Sequence, residues 1–436
     1  MGAPSIDWQE IQKEAVEILA ALLRIDTTNP PGGEEAAAAF LSDILEREGI
    51  KTERFDAAPG RTSLVARLSG EGGAGKPLVL LSHTDVVPAE KDRWREPPFS
   101  GVVKDGVLWG RGALDMKGMA VLELMTVLLL KRHNVPLRRD VVLLAVADEE
   151  EAGHFGMHWI EKNRPELLDA AFVLNEGAFG LCEFMSQPTK LFGIAPAEKG
   201  PVWLRLRTQG TPGHGSVPSA QTATSRMARA LDRAAGWQTE FRVLPEVRMF
   251  LERAAAAGLI PVIQDEELLR GMAEMNPFLR AMTRDTISIT SMKAGYKVNV
   301  IPSEAEATLD CRLLPGRTAE AFLADLQKQI ADPEVTLETI YAADPVPTPL
   351  ESELYDVIQA VLKDRGAGEG LLPQICPGFT DCRQYRERGV QSYGFIPFLL
   401  TMDDLTGVHG HNERVSTDNV GLGCEVLFEV VRRICA

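Results

Sequence analysis

The residues of this chain with the types and spacing to do chemistry fall in five short clusters. Ser82-His83-Thr84-Asp85, Ala147-Asp148-Glu149-Glu150 and Asn175-Glu176-Gly177 each follow an apolar run. Gly110-Arg111-Gly112-Ala113-Leu114-Asp115-Met116-Lys117-Gly118 lies between the first and second, and His409-Gly410-His411-Asn412-Glu413 stands near the C-terminus. Together they offer two histidines and three carboxylates as ligands for two divalent cations, with one glutamate to spare. Borderline cations take this mixture of imidazole and carboxylate. A carboxylate beside a ligand carboxylate can serve as base for a water activated between metals.

Each cluster also has a plainer reading. In an extended segment His83 and Asp85 point to the same side, so the acid can orient the imidazole; most His-x-Asp pairs are ordinary surface residues. The glycines around Asp115 permit unusual backbone angles just before a helix, and an aspartate there can bridge two cations with its two oxygens. The plainer role for Asp115 is an N-cap. The acidic run Asp148 to Glu151 reads by default as a solvated patch. It follows Leu143-Leu144-Ala145-Val146, a run too apolar for a surface strand, and acids clustered there repel one another and call for a cation. Neighbouring acids can then divide the work, one holding metal and the other moving the proton.

The elements that must position these groups read as an α/β fold. Helical faces are predicted over Asp7 to Ile25, ended by Pro30-Pro31, over Glu34 to Glu48, and over Gly118 to Arg132. Strand-like runs are Ser63 to Leu68, Leu78 to Leu81, Val141 to Val146 and Phe172 to Leu174. Alternating strands and helices imply a mixed, largely parallel sheet covered by helices. His83, Glu149 with Glu150, and Glu176 then follow strand ends, where open α/β sheets bind their ligands. Gly70 to Gly75 reads as a turn. From residue 198 to 344 the pattern changes to an inserted α+β unit of ferredoxin-like kind. Its strands are Val202 to Arg207, Thr286 to Ser291, Glu304 to Arg312 and Val335 to Ile340, and its helices Ala220 to Ala234 and Thr318 to Ile330. Leu244 to Leu279 is a helical elaboration on its outside. The larger domain is therefore discontinuous, residues 1–197 and 345–436. Its second part carries strand-like runs at Leu372 to Cys376 and Gln391 to Gly394, His409, and a last helix from Asn419.

Bulk properties narrow the function classes. A chain of 436 residues exceeds one ordinary core. A net charge of −16 argues against nucleic acid or an anionic membrane as partner. The N-terminus has no basic start and no apolar core of a secretory signal. The longest apolar stretch, Met119 to Leu130, is interrupted by Glu123 and is too short to span a bilayer. Six cysteines without a Cys-x-x-Cys pair read as reduced thiols of a cytoplasmic protein.

Seven stretches, taken in order, carry a family resemblance: Ser82 to Pro88, Trp109 to Gly118, Asp148 to Gly156, Asn175 to Gly177, Gly213 to Pro218, Asn299 to Pro302 and His409 to Glu413. The chain resembles the M20 family of metallopeptidases and amidohydrolases. The run Ala152 to Met157 is nearest the aminoacylase-1 and carboxypeptidase S branches. The resemblance implies two zinc ions, with cobalt or manganese as substitutes. His83 and Glu176 hold one, Glu150 and His409 the other, and Asp115 bridges. Glu149 is then the general base and later the proton donor, and Asp85 orients His83. His409 is chosen over His411 as the first histidine of its motif. The insert becomes a lid and homodimer interface, whose His214 reaches the partner subunit's active site to stabilise an oxyanion. Asn299 is expected on the substrate carbonyl and Arg312 on its carboxylate, where a guanidinium fork fits; Arg312 is equally readable as a strand residue paired to an acid. Gly378 and Arg383, either side of Phe379-Thr380-Asp381-Cys382, are expected at the same end. His133, His154 and His158 are read as surface or packing residues. The implied activity is hydrolysis of the amide bond of N-acyl amino acids or small peptides with a free carboxylate. The rivals are a dipeptidase or carboxypeptidase on the same centre, a dinuclear phosphoesterase, and a metal-stabilised binding protein without activity.

Overall fold

The computed structural model describes residues 5–71, 75–184, 187–367 and 370–436. The first four residues of the N-terminal stretch and residues 72–74 of the glycine-rich turn lie outside the described residues.

Eight strands form the large sheet in the order Thr52–Ala58, Arg61–Leu68, Val141–Val146, Leu78–His83, Phe172–Phe184, Gln391–Leu400, Gln187–Glu198, Leu371–Cys376. Its centre is parallel: Leu78–His83 lies between Val141–Val146 and Phe172–Phe184, and Gln391–Leu400 runs alongside Phe172–Phe184. The first two strands and the hairpin from Phe172–Phe184 into Gln187–Glu198 are antiparallel, so the sheet is mixed. Leu78–His83 and Val141–Val146 are buried along their whole length, as parallel strands covered on both faces must be. One cover is the helix Lys117–Arg132, buried from Lys117 through Leu130 and packed against the helices Trp8–Leu23 and Thr417–Cys435. A helix apolar all round belongs inside a fold. Each fully buried leucine in it contributes roughly 1.5–3 kcal/mol.

The chain leaves the large sheet at Glu198 and enters a second one at Gly200. That sheet is antiparallel, ordered Thr286–Ala294, Glu304–Leu313, Gly200–Gln209, Val335–Ala342, with the helices Ala223–Ala235 and Ala319–Ile330 on one face. The βαββαβ succession with this order is the ferredoxin-like arrangement. Burial alternates along Gly200–Gln209 and Glu304–Leu313, so the second face stays open.

Three elements differ from the sequence expectation. The run Phe172 to Leu174 does not end before Glu176; the strand continues to Phe184, and the backbone swings at Gly177, whose φ is 133°. Gln391 to Gly394 likewise extends to Leu400. The helices Pro245–Ala256, Glu266–Met275 and Pro277–Thr283 do not merely thicken the insert. They share an apolar cluster with Ala197 and Ile375 of the large sheet, and Arg253 Nη1 donates to Leu371 O at 2.7 Å. They therefore cover the edge strand Leu371–Cys376, an otherwise open template for pairing. No helix among the described residues is long and apolar enough to cross a membrane.

Candidate metal centre

Two groups of ligand atoms meet around one aspartate. Asp115 Oδ1 lies 3.2 Å from His83 Nε2, which is 3.4 Å from Glu176 Oε1. Asp115 Oδ2 lies 3.0 Å from His409 Nε2, which is 3.1 Å from Glu150 Oε2. The ligand atoms within each trio all fall within 4.8 Å of one another. Ligands about 2.0–2.1 Å from a tetrahedral zinc stand about 3.3 Å apart, so each trio has the span of one ion. The two oxygens of Asp115 face different trios. His411 is elsewhere, its Nε2 3.9 Å from Glu90, and it belongs to neither.

Backbone hydrogen bonds set this geometry. His83 is the last residue of its strand and is 1% exposed. Its Nδ1 lies 3.0 Å from the carbonyl oxygen of Asp85 and 3.5 Å from the Asp85 carboxylate. The carboxylate itself accepts from Glu149 N at 3.1 Å, Glu150 N at 3.2 Å and Asn29 Nδ2 at 2.8 Å. Asp85 therefore fixes the acidic turn as well as flanking His83. That turn is entered through Asp148 at φ 70° and left through Ala152 at φ 69°, both left-handed without being glycine. Such strain persists only where neighbours hold it. Asp148 receives Arg61 Nη2 at 2.6 Å, Asn29 Nδ2 at 3.0 Å and Phe155 N at 2.8 Å, and Glu34 pairs with Arg61 behind it.

A second clamp joins the loops of Asp115 and His409. Glu413 is fully buried, and its carboxylate accepts from Leu114 N at 2.7 Å, Asp115 N at 3.0 Å and Gly112 N at 3.0 Å. Arg111 donates to Glu413 at 2.6 Å and to Gly410 O at 2.6 Å. The strands Val107–Trp109 and Arg414–Ser416 pair just beside it. Arg111, Glu413, Asn29, Arg61 and Glu34 were not singled out from sequence. The signals were there only in part: an acid closing the His409 motif, and an Asn-Pro-Pro directly after a helix.

The electrostatics are those of acids forced together. Burial first, then Asp115, pushes Glu176 up to about 8 and Glu150 up to about 7. Burial and Glu176 raise Glu149 well above the usual range. Hydrogen bonds to Asp115 and Glu150 hold His409 protonated up to about 10. Cations between these groups relieve the same repulsion, so the donor set suits two divalent ions.

The remaining expected residues are placed as follows. His214 and Asn299 come together and are not among the ligand atoms of the two trios: His214 pairs in register with Val300, Gly215 N donates to Asn299 O at 2.9 Å, and both side chains are exposed on the insert. Arg312 uses Nε and Nη2 on Asp310, at 2.7 and 2.9 Å, and lies under the Phe379 ring. That is the strand-pairing alternative for this residue. Arg383 is buried and donates to Glu387 at 2.8 Å and to Tyr341 Oη at 3.1 Å. Gly378 sits in the loop before Phe379, next to Cys376. His158, expected as packing, stacks on His154 and edges Tyr341. The six cysteines are free.

Residues 79–433 match the profile described as peptidase family M20/M25/M40. The chain is 32% identical to the N-fatty-acyl-amino acid synthase/hydrolase of Xenopus tropicalis, over 97% of this chain and 86% of that protein. It is 31% identical to aminoacylase-1 of Sus scrofa, over 93% of this chain and 92% of that one. The fold is similar to an M20 family metallo-carboxypeptidase from Sulfolobus solfataricus, with a TM-score of 0.75 at 21% identity, covering 96% of this chain and 98% of the other.

Proposed function

This chain belongs to peptidase family M20/M25/M40 and is a hydrolytic enzyme, and from that premise we propose that it is a dinuclear zinc hydrolase of N-acyl amino acids. The observation that carries the reading is the division of Asp115, one oxygen toward His83 and Glu176 and the other toward His409 and Glu150. His83, Glu176, Glu150, His409 and the bridging Asp115 are the residues that would hold the ions. Two bound zinc ions supply an acidified water and polarise the scissile carbonyl.

The protein's own groups do the rest. Glu149 is not among the ligand atoms, yet it is adjacent to Glu150 and buried. It takes the proton of the attacking water and returns it to the leaving amine. Asp85 keeps that carboxylate on station through the Glu149 and Glu150 amides. His214, with Asn299 beside it, is presented by the insert to a partner subunit, where the imidazole donates to the oxyanion of the tetrahedral intermediate. The active species on this reading is a homodimer. Six unpaired cysteines suit a reducing, cytoplasmic setting.

The substrate class follows two of the relatives, named as an N-fatty-acyl-amino acid synthase/hydrolase and an aminoacylase. The test is a hydrolysis panel of acetyl-, lauroyl- and aminoacyl-amino acids on zinc-loaded protein, alongside Glu149→Ala. Acyl-amino acid turnover is expected, lowered by at least about a thousandfold in Glu149→Ala at unchanged zinc content. Turnover confined to dipeptides would move the reading to a dipeptidase, and equal turnover by Glu149→Ala would remove the base.

A further inference from the structure

One aromatic cluster at the junction of the insert and the large domain has no part in the mechanism above. Trp203 and Tyr341 lie opposite each other on neighbouring strands of the insert, on the face that its helices leave open. Phe379 comes from the large domain and closes the corner. The ring centroids are 5.5 Å apart for Trp203 and Tyr341, 5.8 Å for Trp203 and Phe379, and 6.0 Å for Tyr341 and Phe379. All three side chains are half-buried, so ring surface is left over after they pack on each other.

The corner is held rigid by its polar neighbours. Arg383 donates to Tyr341 Oη at 3.1 Å, and His158 stands edge-on to the same ring. The Arg312 guanidinium lies 5.1 Å from the centre of the Phe379 ring, with its Nε and Nη2 spent on Asp310. Arg312 Nη1 is buried without a partner, while the three rings keep part of their surface exposed. The corner also adjoins the acidic turn. Phe379 stands two residues before Asp381, whose Oδ1 would lie 3.7 Å from a Cβ placed on Gly153 just after that turn, and Tyr341 Oη lies 3.5 Å from Nε2 of His158, whose backbone amide donates to Gly153 O.

Position relative to Glu149 says which part of a substrate comes here. In the reaction proposed above, on which this inference rests, Glu149 delivers its proton to the leaving amine. Substituents of that amine, the side chain of the amino acid, therefore lie on the Glu149 side. We propose that Trp203, Tyr341 and Phe379 form an apolar subsite that accepts an aromatic or bulky apolar side chain of the amino-acid half of the substrate. Aromatic rings favour edge-to-face and offset contacts at these centroid spacings. Loss of such a wall discriminates between substrates, since a hydrophobic pocket distinguishes even one methylene group by about tenfold or more.

The experiment compares kcat/KM on N-acetylphenylalanine and N-acetylalanine for zinc-loaded wild type, Phe379→Gly, Trp203→Ala and Trp203→Phe. Tryptophan fluorescence of zinc-loaded Glu149→Ala, titrated with the same two compounds, reads binding without turnover. Phe379→Gly and Trp203→Ala are expected to lose at least about tenfold on N-acetylphenylalanine and under about twofold on N-acetylalanine, with Trp203→Phe recovering most of the loss. Equal losses on both substrates would mean that the rings only pack the junction, and no loss would mean that they meet no substrate. Either result overturns the subsite. If wild type holding two zinc ions hydrolyses neither these compounds nor any acyl-amino acid of the panel above, the reaction assignment fails instead, and preferential binding of N-acetylphenylalanine in the titration still decides the subsite.

Discussion

Asp115 is the residue on which the proposed chemistry turns, because its carboxylate belongs to both groups of residues that could hold a metal ion. The acids around it carry a pH signature that chelation exposes. Glu150 and Glu176 rise from an ordinary 4.5 to about 7 and about 8, with burial the largest cause and Asp115 next. A carboxyl raised by folding binds its proton more tightly in the folded state, so the advantage is full below the ordinary value and is lost as pH climbs through the folded one. His409, raised to about 10 by Asp115 and Glu150, works in the same direction: its stabilisation is complete below its ordinary 6.5 and fades above. The chelated protein should therefore lose Tm between about pH 5 and pH 8, and zinc should abolish most of that slope. Zinc titration near pH 7 should release protons, read as an apparent binding enthalpy that varies linearly with the ionisation enthalpy of the buffer. A chelated protein whose Tm rises across this range would contradict the crowding of acids at the site.

Elements, rather than single ligands, bring the site together. The parallel strands end where His83 and the acidic turn begin, and this was legible because Leu78–His83 and Val141–Val146 are buried apolar runs. The edge strand Thr52–Ala58 left no such trace, since its side chains are half-buried or exposed. Gln187–Glu198 was missed as well, and Glu176 was read as following a strand that in fact runs through it. The clamp of Glu413 and Arg111 was out of reach for another reason. It links positions 302 residues apart, a pairing without local periodicity. Its importance is testable at this scale. Glu413→Gln replaces an acceptor of three backbone amides with a side chain carrying its own donors, and so loosens the Asp115 and His409 loops together. The expected result is about 10–100-fold weaker metal binding with an altered cobalt visible spectrum. Unchanged metal affinity and spectrum would make the clamp merely part of the core.

At the scale of the whole molecule, the chain is a mixed α/β body with a ferredoxin-like insert, joined by helices that cover the edge strand Leu371–Cys376. The insert carries His214 and Asn299 on an exposed turn, and the proposed action of His214 in a partner subunit is tested by mixing. Equal mixing of His214→Ala with Glu149→Ala, followed by subunit exchange, should restore roughly a quarter of wild-type turnover from random pairing. A mixture as inactive as its parents would place His214 in the active site of its own subunit, and a fully active His214→Ala parent would place it outside the reaction. Underneath all of this stands the cage around Asp115, and diffraction from crystals of zinc-loaded protein at the zinc absorption edge tests it most directly. Two anomalous peaks on either side of Asp115, one within reach of His83 and Glu176 and the other of Glu150 and His409, are the predicted result. A single peak, or ions bound away from Asp115, would contradict it.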